Sequence, residues 1–342
     1  MQTLIVTGGA GFIGSNFVRY MLGKYPDYRI IVLDALTYAG NLSNLADVWK
    51  NPNFLFVKGD INDAALVDNL AQNADAIVNF AAESHNDRAI LDPESAVRAN
   101  FNGVFVLLEA ARKYRHERFH QVSTDETYGT TDGIFKEGDA LEPNQPYSAA
   151  KAGGELMVRA YHQTFGLPTI VTRGSNTFGP YHYPEKIIPL FITNLIDDIP
   201  VPVYGDGMQV RDWMYVLDHC RGIDIALHHG TPGEVYNVGG DNDRPNMEIV
   251  RLLLTLLDKP DSLIKHVKDR PGHDRRYSLD VTKMAGLGYV PQKERFEELL
   301  GETVHWYQQN QPWWRAIKDK QQDYQQFMTK WYVDREAEGI GK

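Results

Sequence analysis

Short apolar runs alternate with longer amphipathic stretches through the first half of the chain. The strand-like runs cover residues 4–6, 29–34, 54–57, 76–80, 119–123 and 169–173. Such alternation is typical of parallel strands joined by crossover helices, and it predicts an α/β fold with a doubly wound parallel sheet. Because ligands of such sheets bind beyond the carboxyl ends of the strands, the pattern places the functional residues at one edge of the sheet.

A glycine motif follows the first strand-like run and opens a helix-like segment. Gly8, Gly11 and Gly14 have the spacing that permits a tight turn and lets backbone N–H groups approach a pyrophosphate. Asp34 ends the next run about 20 residues later, where a carboxylate accepts hydrogen bonds from an adenosine ribose. A 2′-phosphate would be repelled there, so the motif predicts NAD, and not NADP, in a Rossmann-type domain. Asp60, just after the third run, is expected to flank the adenine.

Glycine and proline become more frequent after about residue 177, and the simple alternation of runs breaks up. We interpret residues 1–176 as the NAD-binding domain. Residues 177–317 are mainly a smaller mixed α/β lobe for the substrate, with some of their chain expected to return to the first domain. Residues 318–342 form a tail in which an amphipathic helix is predicted from Lys318 to Lys330. We find no candidate chemistry in this tail.

The composition is that of an ordinary acidic globular protein. The 342 residues include 45 acidic and 35 basic side chains, for a net charge of −10, and 43% are hydrophobic. This balance argues against a nucleic acid as partner. No apolar stretch approaches membrane-spanning length and no secretory signal is visible, so we expect a cytoplasmic protein without a membrane partner. The single cysteine, Cys220, excludes an internal disulfide, and the scattered histidines predict no metal site.

Two adjacent carboxylates, Asp125 and Glu126, follow a predicted strand at the ligand edge. Neighbouring carboxylates split their titrations, so that one can stay protonated while the other acts as a base. Tyr147 and Lys151 lie one turn apart at the start of a helix that is predicted to run to about Phe165. A tyrosine exchanges a proton with an alcohol, and a neighbouring lysine is expected to lower the phenol pKa. These four residues together predict oxidation and elimination in one pocket.

The motifs resemble those of the dTDP-glucose 4,6-dehydratase family within the extended short-chain dehydrogenase/reductase superfamily. The resemblance covers residue 1 to about residue 308. It is carried by residues 7–14, 34–42, 81–88, 123–129, 147–151, 181–186, 205–213 and 270–277. The Asp-Glu pair is the most discriminating feature, because related decarboxylases and GDP-mannose dehydratases typically have a serine before the glutamate. Epimerases typically lack the acid pair.

The resemblance implies an NAD-dependent hydro-lyase that converts dTDP-glucose to dTDP-4-keto-6-deoxyglucose. In its reaction Tyr147, assisted by Thr124 and paired with Lys151, removes the O4 proton while C4 is oxidised. Glu126 then abstracts the C5 proton, and Asp125 protonates the departing C6 hydroxyl. Relatives commonly pair through two helices, so the resemblance also implies a homodimer formed by residues 101–114 and 147–165.

The resemblance extends to two sets of binding residues. The cofactor contacts, beyond the glycines and the two aspartates, are Phe12, Ile13, Thr37, Ile61, Ala81, Ala82, Tyr147, Lys151 and Thr177. The substrate contacts are Ser84, Thr124, Asn176, Glu185, Lys186, Pro202, Tyr204, Arg211, Asn246, Arg270 and His273. Within the second set, Pro202 and Tyr204 are expected to line the nucleobase pocket, and His273 is expected to donate to phosphate.

Three other hypotheses stay open at this point. A UDP-sugar 4,6-dehydratase would share every motif, and the residues do not distinguish thymine from uracil. A nucleotide-sugar 4-epimerase or decarboxylase would share the Tyr-Lys pair, but Asp125 argues against both. A catalytically silent NAD-binding protein would not need all four reacting residues. Asn86 and Thr127 stand where valine is usual, which leaves fine substrate preference open, but not the type of reaction.

Overall fold

The computed structural model describes residues 1–334. Its strands are β1 Thr3–Thr7, β2 Arg29–Asp34, β3 Phe54–Lys58, β4 Ala76–Asn79, β5 Arg118–Thr124, β6 Thr169–Gly174, β7 Asn176–Phe178, β8 Val201–Tyr204, β9 Val210–Tyr215, β10 Val235–Val238, β11 Asp243–Pro245 and β12 Ile264–Val267. Its α-helices are α1 Phe12–Lys24, α2 Ala64–Ala71, α3 Asn86–Leu91, α4 Pro93–Val97, α5 Gly103–Lys113, α6 Pro146–Phe165, α7 Ile187–Ile196, α8 Val216–His229, α9 Asn246–Leu256, α10 Thr282–Ala285, α11 Phe296–Gln309, α12 Gln311–Lys318 and α13 Gln322–Thr329.

The large sheet has seven parallel strands in the order β10-β6-β5-β4-β1-β2-β3. Each of the strands β1 to β6 overlaps a strand-like run of the sequence. The predicted doubly wound parallel sheet is confirmed. The seventh, β10, comes from late in the chain and pairs with β6. The chain therefore returns to the large sheet after it has entered the smaller lobe.

Both faces of this sheet are covered by helices, which is why its strands are nearly continuous apolar runs. Val6 and Val32 face the core that contains Phe17 of α1. Ile5 and Ile31 alternate with them along the strands and face the core of α2, α5 and α6. Because both faces of the sheet are packed, the carboxyl ends of its strands are held in place, and the site lies beyond them.

The smaller lobe combines a mixed sheet, in the order β11-β9-β7, with the parallel pair β12-β8. Helices α7, α9 and α11 pack beside them in an apolar core that is continuous with the α1 side of the large sheet. This architecture confirms the predicted mixed α/β lobe. The division at residues 176 and 177 stays a prediction, and β7 begins at that point.

The amphipathic helix that was predicted from Lys318 to Lys330 corresponds to α13, Gln322–Thr329, which begins four residues later and ends one residue earlier. The preceding helix α12 ends at Lys318, and a turn at residues 319–321 separates it from α13. Trp314 and Ile317 are buried from the first helix, and Tyr324 and Phe327 from the second. We call residues 321–334 the C-terminal strap; the rest of the predicted tail, residues 335–342, lies outside the described residues. Among residues 1–334, no helix is both long and apolar enough to cross a membrane.

Candidate active site

The glycine turn between β1 and α1 has a conformation that larger residues cannot adopt without strain. Gly8 has a φ of +65°, and a Cβ there would lie 2.7 Å from the Ala81 nitrogen. A Cβ at Gly14 would lie 2.4 Å from the Gly8 carbonyl oxygen. Gly11 caps the N-terminus of α1 in extended conformation. The turn thus leaves a concave backbone surface at the positive end of a helix, which suits a pyrophosphate.

Asp34, at the end of β2, is tied to this turn. Its two carboxylate oxygens accept hydrogen bonds from the Ala10 nitrogen at 2.9 Å and the Leu36 nitrogen at 2.8 Å. Burial raises the pKa of Asp34, while these two amides act to lower it. The carboxylate is therefore held in one orientation at the strand end, where the sequence predicted a ribose contact.

A cavity of about 540 Å³ opens above this edge, and we call it the cofactor cavity. It brings together all the predicted cofactor residues: Gly8, Gly11, Phe12, Ile13, Gly14, Asp34, Thr37, Asp60, Ile61, Ala81, Ala82, Tyr147, Lys151 and Thr177. The glycine surface that a Cβ would fill and the oriented Asp34 fit a dinucleotide. The individual contacts of these residues stay predictions.

Tyr147 and Lys151 enter the same cavity from the first turns of α6, which begins at Pro146. Both side chains are buried. Lys151 Nζ donates to the Val122 carbonyl at 2.7 Å, and burial lowers the pKa of Lys151 to about 8. Burial also raises the pKa of Tyr147 well above its usual value, and the charges of Glu126 and Asp125 raise it further. The net direction is therefore upward, and the lowering of the phenol pKa by Lys151 stays a prediction.

The two carboxylates occupy a 3₁₀ turn, Asp125–Tyr128, directly after β5. Thr124 caps this turn: its hydroxyl accepts from the Glu126 nitrogen at 3.3 Å and donates to Asp125 Oδ1 at 3.1 Å. Asp125 is only 2% exposed. Burial and then the neighbouring Glu126 raise the pKa of Asp125 well above its usual value. Asp125 is thus suited to be the protonated acid of the pair.

Glu126 has different surroundings from Asp125. Its Oε2 accepts a hydrogen bond of 2.5 Å from Asn86 Nδ2. The cations of Lys186, Arg211 and Arg270 interact electrostatically with its charge. The hydrogen bond from Asn86 and the nearby cations thus hold the Glu126 carboxylate facing the cavity, where it can accept a proton from a ligand. The pair therefore offers an acid and a base side by side.

A second cavity of about 130 Å³ adjoins the first, and we call it the substrate cavity. Glu126, Asn176, Glu185 and Lys186 line both cavities, so the two meet at these residues. The predicted substrate residues that line only the second cavity are Pro202, Tyr204, Arg211, Asn246, Arg270 and His273. Ser84 and Thr124 lie on the cofactor side. Every predicted substrate residue therefore lines one of the two cavities.

The cationic residues of the substrate cavity are held by protein partners. Arg270 pairs with Asp87 at 3.3 Å, and Arg211 donates to the Asp274 carbonyl at 2.9 Å. His273 Nδ1 lies 2.5 Å from Asp269, and burial lowers the pKa of His273 to about 4. A neutral imidazole that donates from Nδ1 presents an acceptor at Nε2. The phosphate donation predicted for His273 therefore requires it to gain a proton.

The C-terminal strap closes the outer side of the substrate cavity, which the sequence did not indicate. Tyr332 lines the cavity, and its ring lies parallel to that of Tyr204 at a centroid distance of 6.2 Å. Trp331 Nε1 donates to the Tyr204 hydroxyl at 2.6 Å. Asp323 pairs with Arg88 at 2.9 Å and holds α13 in place. The one signal in the sequence was the aromatic content of the tail.

Asn86 and Asp87 at the start of α3 are further residues that the sequence analysis did not assign to the site. They follow Ser84 closely, but nothing in their spacing indicates contacts with Glu126 and Arg270. Residues 1–334 contain no group of three or more His, Cys, Asp or Glu side chains that could hold a metal ion.

Comparison with known proteins identifies the family of this chain. A family profile described as GDP-mannose 4,6 dehydratase matches residues 5–303. The dTDP-glucose 4,6-dehydratase of Actinoplanes sp. is 49% identical over 318 residues, which cover 91% of this chain and 99% of that protein. This chain belongs to the dTDP-glucose 4,6-dehydratase family. The resemblance that the motifs indicated is confirmed.

Solved structures of a dehydratase and of an epimerase both have the fold of this chain. The dTDP-glucose 4,6-dehydratase of Streptomyces venezuelae, solved with NAD bound, is 49% identical with a TM-score of 0.90, over 92% of this chain and 100% of its own. The UDP-glucuronic acid 4-epimerase of Bacillus cereus is 27% identical with a TM-score of 0.85, over 90% and 99%. Since the dTDP-glucose 4,6-dehydratase family shares its fold with an epimerase, the carboxylate pair carries more information about the reaction than the fold does.

Proposed function

We propose that this protein is an NAD-dependent hydro-lyase that converts dTDP-glucose to dTDP-4-keto-6-deoxyglucose and water. The observation that carries the proposal is the pair Asp125 and Glu126 beside Tyr147 and Lys151. An elimination needs an acid and a base, and the pair supplies Asp125, whose pKa burial raises, beside the carboxylate of Glu126. Epimerisation at C4 requires neither group.

The cofactor cavity fits NAD through the glycine turn and Asp34. Gly8, Gly11 and Gly14 would hold the pyrophosphate, and Asp34 would hold the adenosine ribose. When bound, NAD supplies the hydride acceptor for oxidation at C4 and, once reduced, the hydride donor for C6. Because the hydride that leaves C4 returns at C6, the overall reaction consumes no cofactor.

The residues of the chain move the protons of this reaction. Tyr147 takes the proton of the C4 hydroxyl as the phenolate, a form that positive charge on Lys151 below about pH 8 would favour against the effect of burial. The resulting C4 carbonyl acidifies the C5 hydrogen, which Glu126 removes as a proton. Asp125 gives its proton to the C6 oxygen as the C6–O bond breaks, and water leaves. A proton is finally returned to C5, which completes the 4-keto-6-deoxy product.

The substrate cavity supports a nucleotide sugar as the occupant. The Oδ1 atoms of Asn176 and Asn246 are buried, line this cavity and have no hydrogen-bond partner among residues 1–334. Buried acceptors of this kind are satisfied by hydroxyl or ring N–H donors of a ligand. Arg211 and Arg270 offer forked donors for a diphosphate.

The first test is incubation of the purified protein with dTDP-glucose and, separately, with UDP-glucose. We expect mass spectrometry to detect the loss of one water from the dTDP sugar, and Asp125→Asn to lose most of this activity. Water loss from UDP-glucose alone would favour a UDP-sugar dehydratase. A change in sugar configuration without water loss would favour the epimerase hypothesis instead.

We also infer a homodimer in the cytoplasm. The helices expected to pair, α5 and α6, carry large apolar side chains on the surface: Phe105 is 45% exposed and Leu156 is 57% exposed. Exposed apolar side chains on adjoining helices are typical of a subunit interface. Sedimentation should give a dimer that Leu156→Glu dissociates, and cell fractionation should recover the protein with the cytoplasm. A wild-type monomer would contradict the first inference, and recovery in another fraction the second.

A further inference from the structure

Asn86 is a buried residue of the substrate cavity to which the reaction assigns no task. It begins α3 and is 5% exposed. Its Nδ2 donates to Glu126 Oε2, and its Oδ1 is buried without a hydrogen-bond partner among residues 1–334. One end of the amide is thus bound to the base, and the other end is an unsatisfied acceptor that needs a donor.

The residues beside Asn86 hold it firmly. Asp87 accepts a hydrogen bond of 2.7 Å from the Tyr204 hydroxyl and pairs with Arg270. On the other side, the His85 ring packs edge-on against Phe327 of the C-terminal strap. Ala89, one turn further along α3, packs with Tyr147. The Asn86 amide is therefore fixed relative to the strap, the substrate cavity and α6.

In this chain Asn86 gives Glu126 a fixed partner that the valine usual at this position does not supply, among groups that attract and repel its charge from several directions. The charged and titratable groups that interact with it are Asp125, Tyr147, Lys186, Arg211, Arg270 and Tyr277. A hydrogen bond at 2.5 Å selects one orientation of the carboxylate and leaves Oε1 available for the proton. Proton abstraction from carbon depends on this alignment, and a small misplacement slows it substantially.

We propose that Asn86 is a positioning residue for Glu126 and a specificity-determining contact for the hexose. Nδ2 fixes the base, and Oδ1 accepts a hydrogen bond from a sugar hydroxyl close to the reacting carbons. A ligand hydroxyl satisfies the buried acceptor, whereas a sugar without that hydroxyl leaves it unpaired. This inference rests on the proposed function, because it assigns a hexose to the substrate cavity and C5 deprotonation to Glu126.

Three variants separate positioning from packing. Asn86→Val removes both functions of the amide, Asn86→Asp keeps its shape but lacks the donor, and Asn86→Gln keeps the amide on a longer side chain. Each is incubated with dTDP-glucose in deuterium oxide, and deuterium at C5, kcat and KM are measured. We expect C5 exchange and kcat to fall about 10- to 100-fold in the first two variants, with partial rescue in Asn86→Gln. The affinity for NAD and the melting temperature should stay near wild type.

Deoxy sugars test the second half of the proposal. We expect removal of the hydroxyl next to C4, in dTDP-3-deoxyglucose, to lower kcat/KM about tenfold or more for the wild type, and much less for Asn86→Val. Equal losses in the two proteins would overturn the specificity role. Wild-type C5 exchange in Asn86→Val, with an active parent enzyme, would overturn the positioning role alone. A parent enzyme that removes no water from dTDP-glucose would overturn the proposed function and this inference with it.

Discussion

The cofactor cavity and the substrate cavity adjoin each other but are built in different ways. The first, of about 540 Å³, is formed by loops at the carboxyl edge of one sheet, and its central surface is the backbone of a glycine turn. The second, of about 130 Å³, is formed by α3, β8, β9 and the C-terminal strap. Backbone shape defines one site, and long-range contacts between side chains define the other.

This difference has a consequence for ligand binding. The glycine turn is preformed, so a dinucleotide would meet donors that are already oriented. In the substrate cavity, Arg270 is paired with Asp87 and Tyr204 is bonded to the strap. A diphosphate would have to exchange these protein contacts for its own. We therefore expect changes in the first cavity to act on NAD affinity, and changes in the second to act on the sugar nucleotide.

The largest effect is expected from Glu126→Gln, which removes the base where the cavities meet. Loss of a general base lowers a rate by about 10²- to 10⁴-fold, so C5 deuterium exchange and water loss should fall together by this factor. Binding of dTDP-glucose and NAD should change much less. The exposed Glu94→Gln on α4 is a matched control that should behave as wild type. C5 exchange at the wild-type rate in Glu126→Gln would contradict the role of Glu126.

The next effect concerns the cofactor cavity alone. In Gly14→Ala, the new methyl group would lie 2.4 Å from the Gly8 carbonyl oxygen, so the turn must shift. Such overpacking costs about 1–3 kcal/mol, and calorimetry should show NAD binding weakened about 10- to 100-fold. Gly23→Ala, in the same helix and with open space around it, should bind NAD normally and unfold with the same or slightly higher free energy. Equal NAD affinity in the two variants would show that the turn does not form the cradle.

The buried ammonium of Lys151 should lower the free energy of unfolding of the protein below about pH 8. The pKa of Lys151 is lowered from 10.5 in the unfolded chain to about 8 in the folded protein, because the ammonium is buried. Between these values the unfolded chain binds more protons, so the free energy of unfolding should rise with pH from about 8 to about 10.5. Lys151→Met should raise it by about 1–3 kcal/mol at neutral pH and inactivate the enzyme. It should also reduce that rise to the part contributed by other buried lysines such as Lys318, whose pKa burial likewise lowers to about 8. Denaturant titrations without NAD across this range provide the measurement, and a flat wild-type profile would contradict the prediction.

The smallest effect is expected from the C-terminal strap. A chain that ends at Lys320 lacks the Tyr332 wall and the Asp323–Arg88 pair. We expect its KM for dTDP-glucose to rise about five- to tenfold, which corresponds to about 1 kcal/mol, while its affinity for NAD stays within twofold. Tyr332→Ala should reproduce part of this change without removing α13. Equal weakening of NAD and sugar nucleotide would show that the strap supports the whole fold and not one cavity.

Much of the fold and of the cofactor site could be predicted because the signals are local. The apolar run at residues 29–34 coincides with β2, and the helix predicted near Tyr147 is α6, Pro146–Phe165. Strand periodicity, glycine turns and helix starts are encoded in neighbouring residues. The helix predicted from Lys318 to Lys330 is also present as α13, but it is shorter, because a turn after Lys318 separates it from α12.

The sequence by itself determined the alternation of the first six strands with helices, the glycine turn, the acid pair and many of the residues that line the two cavities. Only the tertiary structure decided the return of β10 to the large sheet, the pairing of Asp87 with Arg270, the contact of Asn86 with Glu126, and the closure of the substrate cavity by Tyr332. These contacts join segments far apart in the chain, and no local periodicity encodes which buried polar group will meet which partner. They form where packing leaves a buried donor, acceptor or charge that must be satisfied.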